Sequence, residues 1–102
     1  MAKYIMVVES NPTPGDDAEY NKWYDEIHIP EVCAIPGITG GRRYASDPAA
    51  PGERPYLAIY DMETDDPQKV MSELTSRAGS GALRMTPTID VPNVKMSVYK
   101  AR

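Results

Sequence analysis

Residues 20–32 read Tyr20-Asn21-Lys22-Trp23-Tyr24-Asp25-Glu26-Ile27-His28-Ile29-Pro30-Glu31-Val32. They contain the only Trp and the only His of the chain. Asn21, Tyr24 and His28 are spaced three and four residues apart, so a helix places them on neighbouring positions. The adjoining helix face would carry Tyr20, Trp23 and Ile27. The stretch therefore predicts an amphipathic helix that buries an aromatic stripe and carries a titratable imidazole along its edge.

The sequence on either side of this helix predicts four strands and a second helix. Runs of β-forming residues predict strands over 3–9, 38–45, 56–62 and 94–100. The first helix spans 17–28, and Pro30 ends or kinks it because proline lacks a backbone donor. A short helical turn could continue through Val32 to Ala34 before Pro36-Gly37 stops it. The second helix begins at Pro67 after an aspartate cap and ends at Gly79-Ser80-Gly81. A Gly40-Gly41 pair inside a strand indicates a bulge or a close backbone approach.

The order of these elements is strand, helix, strand, strand, helix, strand. It predicts a ferredoxin-like α+β fold: a four-stranded antiparallel sheet with both helices on one face, in a single domain over 1–102. The other face of such a sheet would expose apolar side chains. Pairing of two sheets removes that patch, so we expect a homodimer through the open sheet face.

Composition excludes several classes of function. The net charge of −4 and the pI near 4.9 argue against nucleic acid and anionic membranes as partners. One Cys cannot form an internal disulfide, and one His without a Cys pair argues against a metal site. The N-terminus has no signal-peptide pattern, and no apolar run reaches membrane length, so we expect a cytoplasmic protein.

Two segments resemble the dimeric α+β barrel superfamily, and within it the EthD-like branch. One runs from Glu19 through His28-Ile29-Pro30-Glu31, and the other from Pro36-Gly37-Ile38 through Arg43-Tyr44. The recurrent feature is a helix-end His followed two residues later by Pro, then a Pro-Gly turn, then a strand with Arg and an aromatic residue. The superfamily includes isomerases, polyketide cyclases, cofactor-free monooxygenases, haem-degrading enzymes and members without assigned activity. The resemblance therefore implies the fold but does not select a reaction.

The candidate site centres on His28, whose imidazole, with an ordinary pKa near 6.5, could act as a general acid or base. Tyr24 could donate a hydrogen bond to a substrate oxygen, Asn21 could bind a carbonyl, and Arg43 could neutralise a carboxylate or enolate. The walls for a planar ligand would come from Tyr20, Trp23 and Tyr60. The opposing interpretation is a surface histidine that interacts with the helix dipole and pairs with Asp25.

Other residues are weaker candidates. Cys33 has the features of a small buried hydrophobic residue more than those of a nucleophile. Strand alternation allows at most one of Arg42 and Arg43 to face a pocket, and we favour Arg43. Glu9 and Asp61 would become rival bases if either faced inward.

These observations support three functional hypotheses. The first is a cofactor-independent enzyme that performs acid–base chemistry of the isomerase, cyclase, dehydratase or lyase type. Its substrate would be a small aromatic, lactone or polyketide-like molecule, and no cofactor or metal is expected. The second is a cofactor-free monooxygenase of a phenolic substrate. The third is a non-catalytic protein that binds a small molecule in a catabolic or biosynthetic pathway.

Overall fold

The computed structural model describes residues 2–102. The elements in chain order are β1 (Ala2–Ser10), α1 (Asp17–Trp23), a π-helical segment (Tyr24–His28), α2 (Ile29–Cys33), β2 (Ile38–Ala45), β3 (Tyr56–Thr64), α3 (Pro67–Ser80), a 3-10 turn (Val91–Asn93) and β4 (Lys95–Lys100). The four strands form one sheet in the order β2-β3-β1-β4, and every neighbouring pair is antiparallel. The predicted ferredoxin-like α+β fold is confirmed.

The two faces of the sheet differ in burial because successive side chains of a strand point to opposite sides. Met6 and Val8 of β1 are buried, as are Ala58, Tyr60 and Met62 of β3. These residues pack against the helices in one hydrophobic cluster. The cavity described below lies on this helix-covered face.

Within residues 2–102, the helices pack on one face of the sheet and leave the opposite face open. Ile5 and Val7 of β1 are only partly buried there, and so are Leu57 and Ile59 of β3. Tyr99 of β4 pairs with Ile5 and is 58% exposed. The open side of the sheet therefore carries an apolar patch.

The sequence analysis left open whether the first helix ends at Pro30 or kinks there and continues, and the structure shows that it continues. Helical backbone continues from Asp17 to Cys33, and a π-helical segment joins α1 to α2. At its end the amide of Ile29 donates to the carbonyl of Tyr24, five residues back. In a regular α-helix the Pro30 ring would collide with the carbonyl four residues earlier. The wider π turn changes the hydrogen-bond pattern just before the proline, so the chain stays helical through it.

The Gly40-Gly41 pair produces both predicted effects. The pairing of β2 with β3 shifts its register between Ile38 and Gly40. A Cβ at Gly41 would lie 3.0 Å from the ring of Tyr60 and 3.2 Å from the sulfur of Cys33. Glycine at position 41 therefore lets the helical region approach the sheet.

The second predicted helix is confirmed as α3. The Asp66 side chain accepts a hydrogen bond from the amide of Lys69 at 3.2 Å, which caps the helix start. Gly81 follows the helix with φ of 84°, the left-handed conformation of a helix C-cap. No helix within residues 2–102 has the length and apolar character needed to cross a membrane.

Candidate functional site

A cavity of about 330 Å³ lies between the helices and the sheet. Three polar side chains contribute to its wall: Tyr24, His28 and Tyr60. The other lining residues are apolar and come from the sheet, from α2 and α3, and from the chain between α3 and β4: Met6, Val8, Val32, Leu74, Ala78, Leu83, Met85, Ile89, Val91, Val94 and Met96. A mostly apolar cavity with a few convergent polar groups is the usual form of a small-molecule site.

His28 is held by aromatic contacts at the end of the π-helical segment. Its ring stacks on Trp23 with 4.5 Å between centroids, and it meets the edge of Tyr24 at 5.0 Å. The Nδ1 atom is buried and has no hydrogen-bond partner. Burial disfavours the charged imidazolium and lowers the pKa of His28 to about 4, with a smaller opposing effect from Glu31. The side chain is therefore a neutral imidazole at pH 7.

The two tyrosines of the wall also have shifted pKa values. Burial raises the pKa of Tyr24 to about 12, and it raises the pKa of Tyr60 further. Each ring lies in the core at 1% exposure, and the Tyr60 hydroxyl is buried without a hydrogen-bond partner. Both phenols therefore stay protonated over the working pH range. They can donate hydrogen bonds to an oxygen atom in the cavity.

Arg43 and Asn21 form a separate polar cluster that does not line this cavity. The Arg43 guanidinium donates to Asp25 at 2.9 Å and to the side-chain oxygen of Asn21 at 2.8 Å. Asn21 in turn donates to the Tyr56 hydroxyl at 3.3 Å. These groups border a shallower depression on the protein surface.

The structure therefore brings together only part of the predicted site. His28, Tyr24 and Tyr60 share one cavity wall, whereas Asn21, Arg43, Tyr20 and Trp23 do not line it. The Tyr20 hydroxyl is buried in a hydrogen bond with Ser10. Trp23 lies behind His28 and donates from Nε1 to the carbonyl of Arg84 at 2.6 Å.

The opposing interpretation of His28 as a surface histidine paired with Asp25 is wrong, because that carboxylate binds Arg43 instead. Partial burial of the ring against aromatic side chains lowers its pKa to about 4 from the ordinary value near 6.5 on which the sequence analysis relied. The sequence analysis expected Arg42 and Arg43 to point to opposite faces of the sheet. Arg43 points to the helix side, whereas Arg42 binds Asp61 on the open face.

Residues 82–93 form part of the cavity wall and are tied to the rest of the protein at several places. The amide and the guanidinium of Arg84 both donate to the Glu31 carboxylate, at 2.7 and 2.9 Å. Further along, Pro12 and Ile89 form an isolated β-bridge. Sequence analysis did not assign a role to this segment, because its apolar residues follow neither the helical nor the strand period.

The rival candidates lie elsewhere. Glu9 and Asp61 alternate with the cavity-facing residues of their strands and point to the open side of the sheet. Cys33 is partly buried, and burial raises the pKa of its thiol. Residues 2–102 contain no group of three or more His, Cys, Asp or Glu side chains that could hold a metal ion.

Solved structures with the same fold are similar to this chain along nearly its whole length. An EthD family protein from Bacillus halodurans has 13% sequence identity and a TM-score of 0.66, and the match covers 100% of both chains. The haem degrader MhuD from Mycobacterium tuberculosis has 15% identity and a TM-score of 0.69, over 96% of this chain and 94% of that one. SnoaB, a cofactor-independent oxygenase from Streptomyces nogalater, has 14% identity and a TM-score of 0.65, over 100% and 95%.

The chain has the fold of the dimeric α+β barrel proteins. The predicted resemblance to the EthD-like branch is thereby confirmed as a likeness of fold. No family model matches the sequence, and no curated protein matches it. At these identities the comparisons establish the fold, and the chemistry has to be argued from the cavity.

Proposed function

We propose that the protein is an enzyme that binds a small, uncharged molecule in this cavity and moves a proton within it. One observation carries the proposal. An imidazole and two phenols converge on an otherwise apolar wall, and two of their polar atoms, Nδ1 of His28 and the Tyr60 hydroxyl, are buried without partners. Buried polar groups are nearly always paired, so unpaired ones beside a cavity favour a ligand that pairs with them.

The neutral state of His28 determines its role. At pH 7 the unprotonated nitrogen of the imidazole can accept a proton from a C–H or O–H group of the ligand, whereas its remaining N–H is too weak an acid to give a proton at the start. The electron pair then moves onto a ligand oxygen, where Tyr24 and Tyr60 can donate hydrogen bonds. Because burial makes the resulting imidazolium a strong acid, it returns the proton readily. Taking a proton from one atom and returning it to another describes an isomerase, a cyclase, or an elimination of the dehydratase or lyase type.

The cavity wall also narrows the substrate class. Its lining contains no Lys or Arg within residues 2–102, and Arg43 is already bound to Asp25 and Asn21. Burial of an unpaired carboxylate in such a site would be costly. We therefore favour a neutral aromatic, lactone or polyketide-like molecule with a hydroxyl or carbonyl group. The same lack of cations gives haem propionates no partners on this wall, so we do not assign a haem to the cavity.

A second candidate is cofactor-free oxygenation of a phenolic substrate. The apolar wall supports it, because a cavity that excludes water protects an electron-rich anion until it reacts with dioxygen. SnoaB, a fold relative, is a cofactor-independent oxygenase. In this scheme His28 takes the phenol proton, and the electrons that reduce dioxygen come from the substrate anion.

The proposed assembly is a homodimer through the open sheet face, in the cytoplasm. Ile5, Val7, Leu57 and Ile59 leave an apolar surface there that a second copy would cover. The fold relatives support this arrangement, since one of them is a dimeric ferredoxin-like protein from Thermobifida fusca.

The experiment is a turnover screen with neutral phenols, lactones and polyketide-like aromatics, with product analysis and an oxygen electrode. We expect His28→Gln to lower kcat about 100-fold or more, in the range of general base catalysis, and Tyr24→Phe to lower it less. Tyr99→Phe is the matched control, because that tyrosine lies on the open face at 58% exposure. Oxygen consumption that matches product would select the monooxygenase. Tight binding without product, unchanged in His28→Gln, would leave a non-catalytic binding protein and refute the proposal.

A further inference from the structure

Arg43 lies next to the cavity without forming part of its wall. Its guanidinium carbon is 4.3 Å from the centroid of the Tyr24 ring, within the range of a cation–π contact. Tyr24 lines the cavity and also meets His28, at 5.0 Å between centroids. A single aromatic ring therefore connects a fixed positive charge with the polar part of the cavity.

Other contacts keep this cation away from a ligand. Asp25 and Asn21 accept hydrogen bonds from its two terminal nitrogens, and the side chain is only 13% exposed. The Asp25 side chain is 63% exposed, so water weakens the effect of its negative charge. A net positive field from Arg43 therefore remains on the Tyr24 side.

We propose that Arg43 is a positioning residue that acts through Tyr24: it stabilises negative charge on a ligand oxygen bound at the Tyr24 hydroxyl, without touching the ligand. This proposal rests on the proposed function of the cavity. It replaces the direct anion contact that the sequence analysis expected of Arg43. The same positive charge disfavours the imidazolium form of His28, so it also promotes return of the proton to the ligand.

The charged groups around His28 predict in which direction its pKa changes when Arg43 is replaced. Glu31 of α2 raises the pKa of the imidazole, and Arg43 of β2 lowers it. The π-helical segment presents the phenol of Tyr24 to the same cavity, and the sheet presents the phenol of Tyr60. The other lining side chains, from the sheet, α2, α3 and residues 83–94, are apolar. The Arg43 guanidinium carbon lies 4.3 Å and the His28 ring 5.0 Å from the Tyr24 centroid, so the two groups are at most about 9 Å apart. Coulomb's law at that distance with an effective dielectric constant near 20, reduced by the Asp25 charge, gives a shift of about half a pKa unit to one unit.

The test compares Arg43→Gln with Arg42→Gln, which removes the same charge one residue away on the opposite face of the sheet. Because the protein has one His, its ring gives one set of NMR resonances to titrate. We expect Arg43→Gln to raise the His28 pKa by about half a unit to one unit, and Arg42→Gln to leave it unchanged. In a parallel measurement, visible absorbance reports the ionised fraction of bound 4-nitrophenol. That fraction should fall in Arg43→Gln alone.

A second pair of variants keeps the test decisive if Arg43→Gln does not fold. Asp25→Asn frees the Arg43 charge from its partner and should lower the His28 pKa and raise the ionised fraction of the bound phenol. The control is Glu26→Gln, which removes the adjacent acidic group of the same segment. It should change the His28 pKa and the ionised fraction of the phenol less than Asp25→Asn does. Equal effects in each variant and its control, or no effect at all, would overturn the role of Arg43. Failure of 4-nitrophenol to bind the wild-type cavity would instead count against the proposed function, since the His28 titration needs no ligand.

Discussion

Because His28 is neutral in the folded protein, the free energy of unfolding depends on pH. The substitution His28→Gln removes this part of the pH dependence. The folded-state pKa is about 4, whereas an unfolded chain has the ordinary value near 6.5. Between these values the unfolded chain binds a proton that the folded protein does not. The stabilising contribution is therefore complete above the unfolded value and is lost as the pH falls toward 4.

The magnitude follows from the two pKa values. At pH 5 the unfolded chain carries the extra proton almost fully and the folded protein hardly at all. Proton linkage then gives a loss of about 2 kcal/mol relative to pH 7. Glutamine cannot titrate, so this part of the pH dependence should vanish in His28→Gln. The pH dependence that comes from carboxylates remains in both proteins.

The assay is urea unfolding of the wild type and of His28→Gln at pH 7 and pH 5. Protein concentration has to be fixed, because assembly would make the midpoint concentration-dependent. We expect the wild type to lose about 2 kcal/mol more than the variant between the two pH values. Equal losses in the two proteins would show that the imidazole is hydrated in the folded state, and the description of the cavity wall would be wrong.

Three further outcomes are expected. Tyr20→Phe leaves the fully buried Ser10 hydroxyl without its partner, and it should lower the unfolding free energy by about 1–2 kcal/mol in thermal or urea unfolding. Gly41→Ala should cost about 1–3 kcal/mol because its Cβ would lie 3.0 Å from a buried tyrosine ring. Gly40→Ala, with 3.5 Å to its nearest neighbour, should cost clearly less. Tyr99→Glu places a charge on the open sheet face and should shift sedimentation from dimer toward monomer with little change in circular dichroism, whereas an unchanged dimer would contradict the proposed interface.

The order of elements could be predicted from the sequence because each boundary has a local cause. Asp66 and Pro67 start a helix and Gly81 ends it, through a side-chain cap and a positive φ that need no tertiary contact. The boundary at Pro30 could not be predicted in this way. Whether a proline stops a helix depends on the hydrogen-bond pattern of the preceding turn, and here a π-helical segment accommodates it.

The site could be predicted only in part for a similar reason. His28 and Tyr24 are neighbours in the same helical region, so their spacing alone predicts that they meet. Tyr60 joins them through the sheet, while Asn21 binds Arg43 on another side of Tyr24. The cavity wall that His28 joins also contains residues distant in sequence, such as Leu83 and Met96. Local spacing contains no information about that wall.

NMR titration of the His28 ring resonances distinguishes a neutral imidazole in the wall of a ligand cavity from an imidazole in water. We expect a midpoint near pH 4 in the folded protein, with resonances that shift when a neutral phenol binds. A midpoint near the ordinary value of about 6.5, unaffected by the phenol, would place the ring in water and rule out His28 as the base of a ligand cavity.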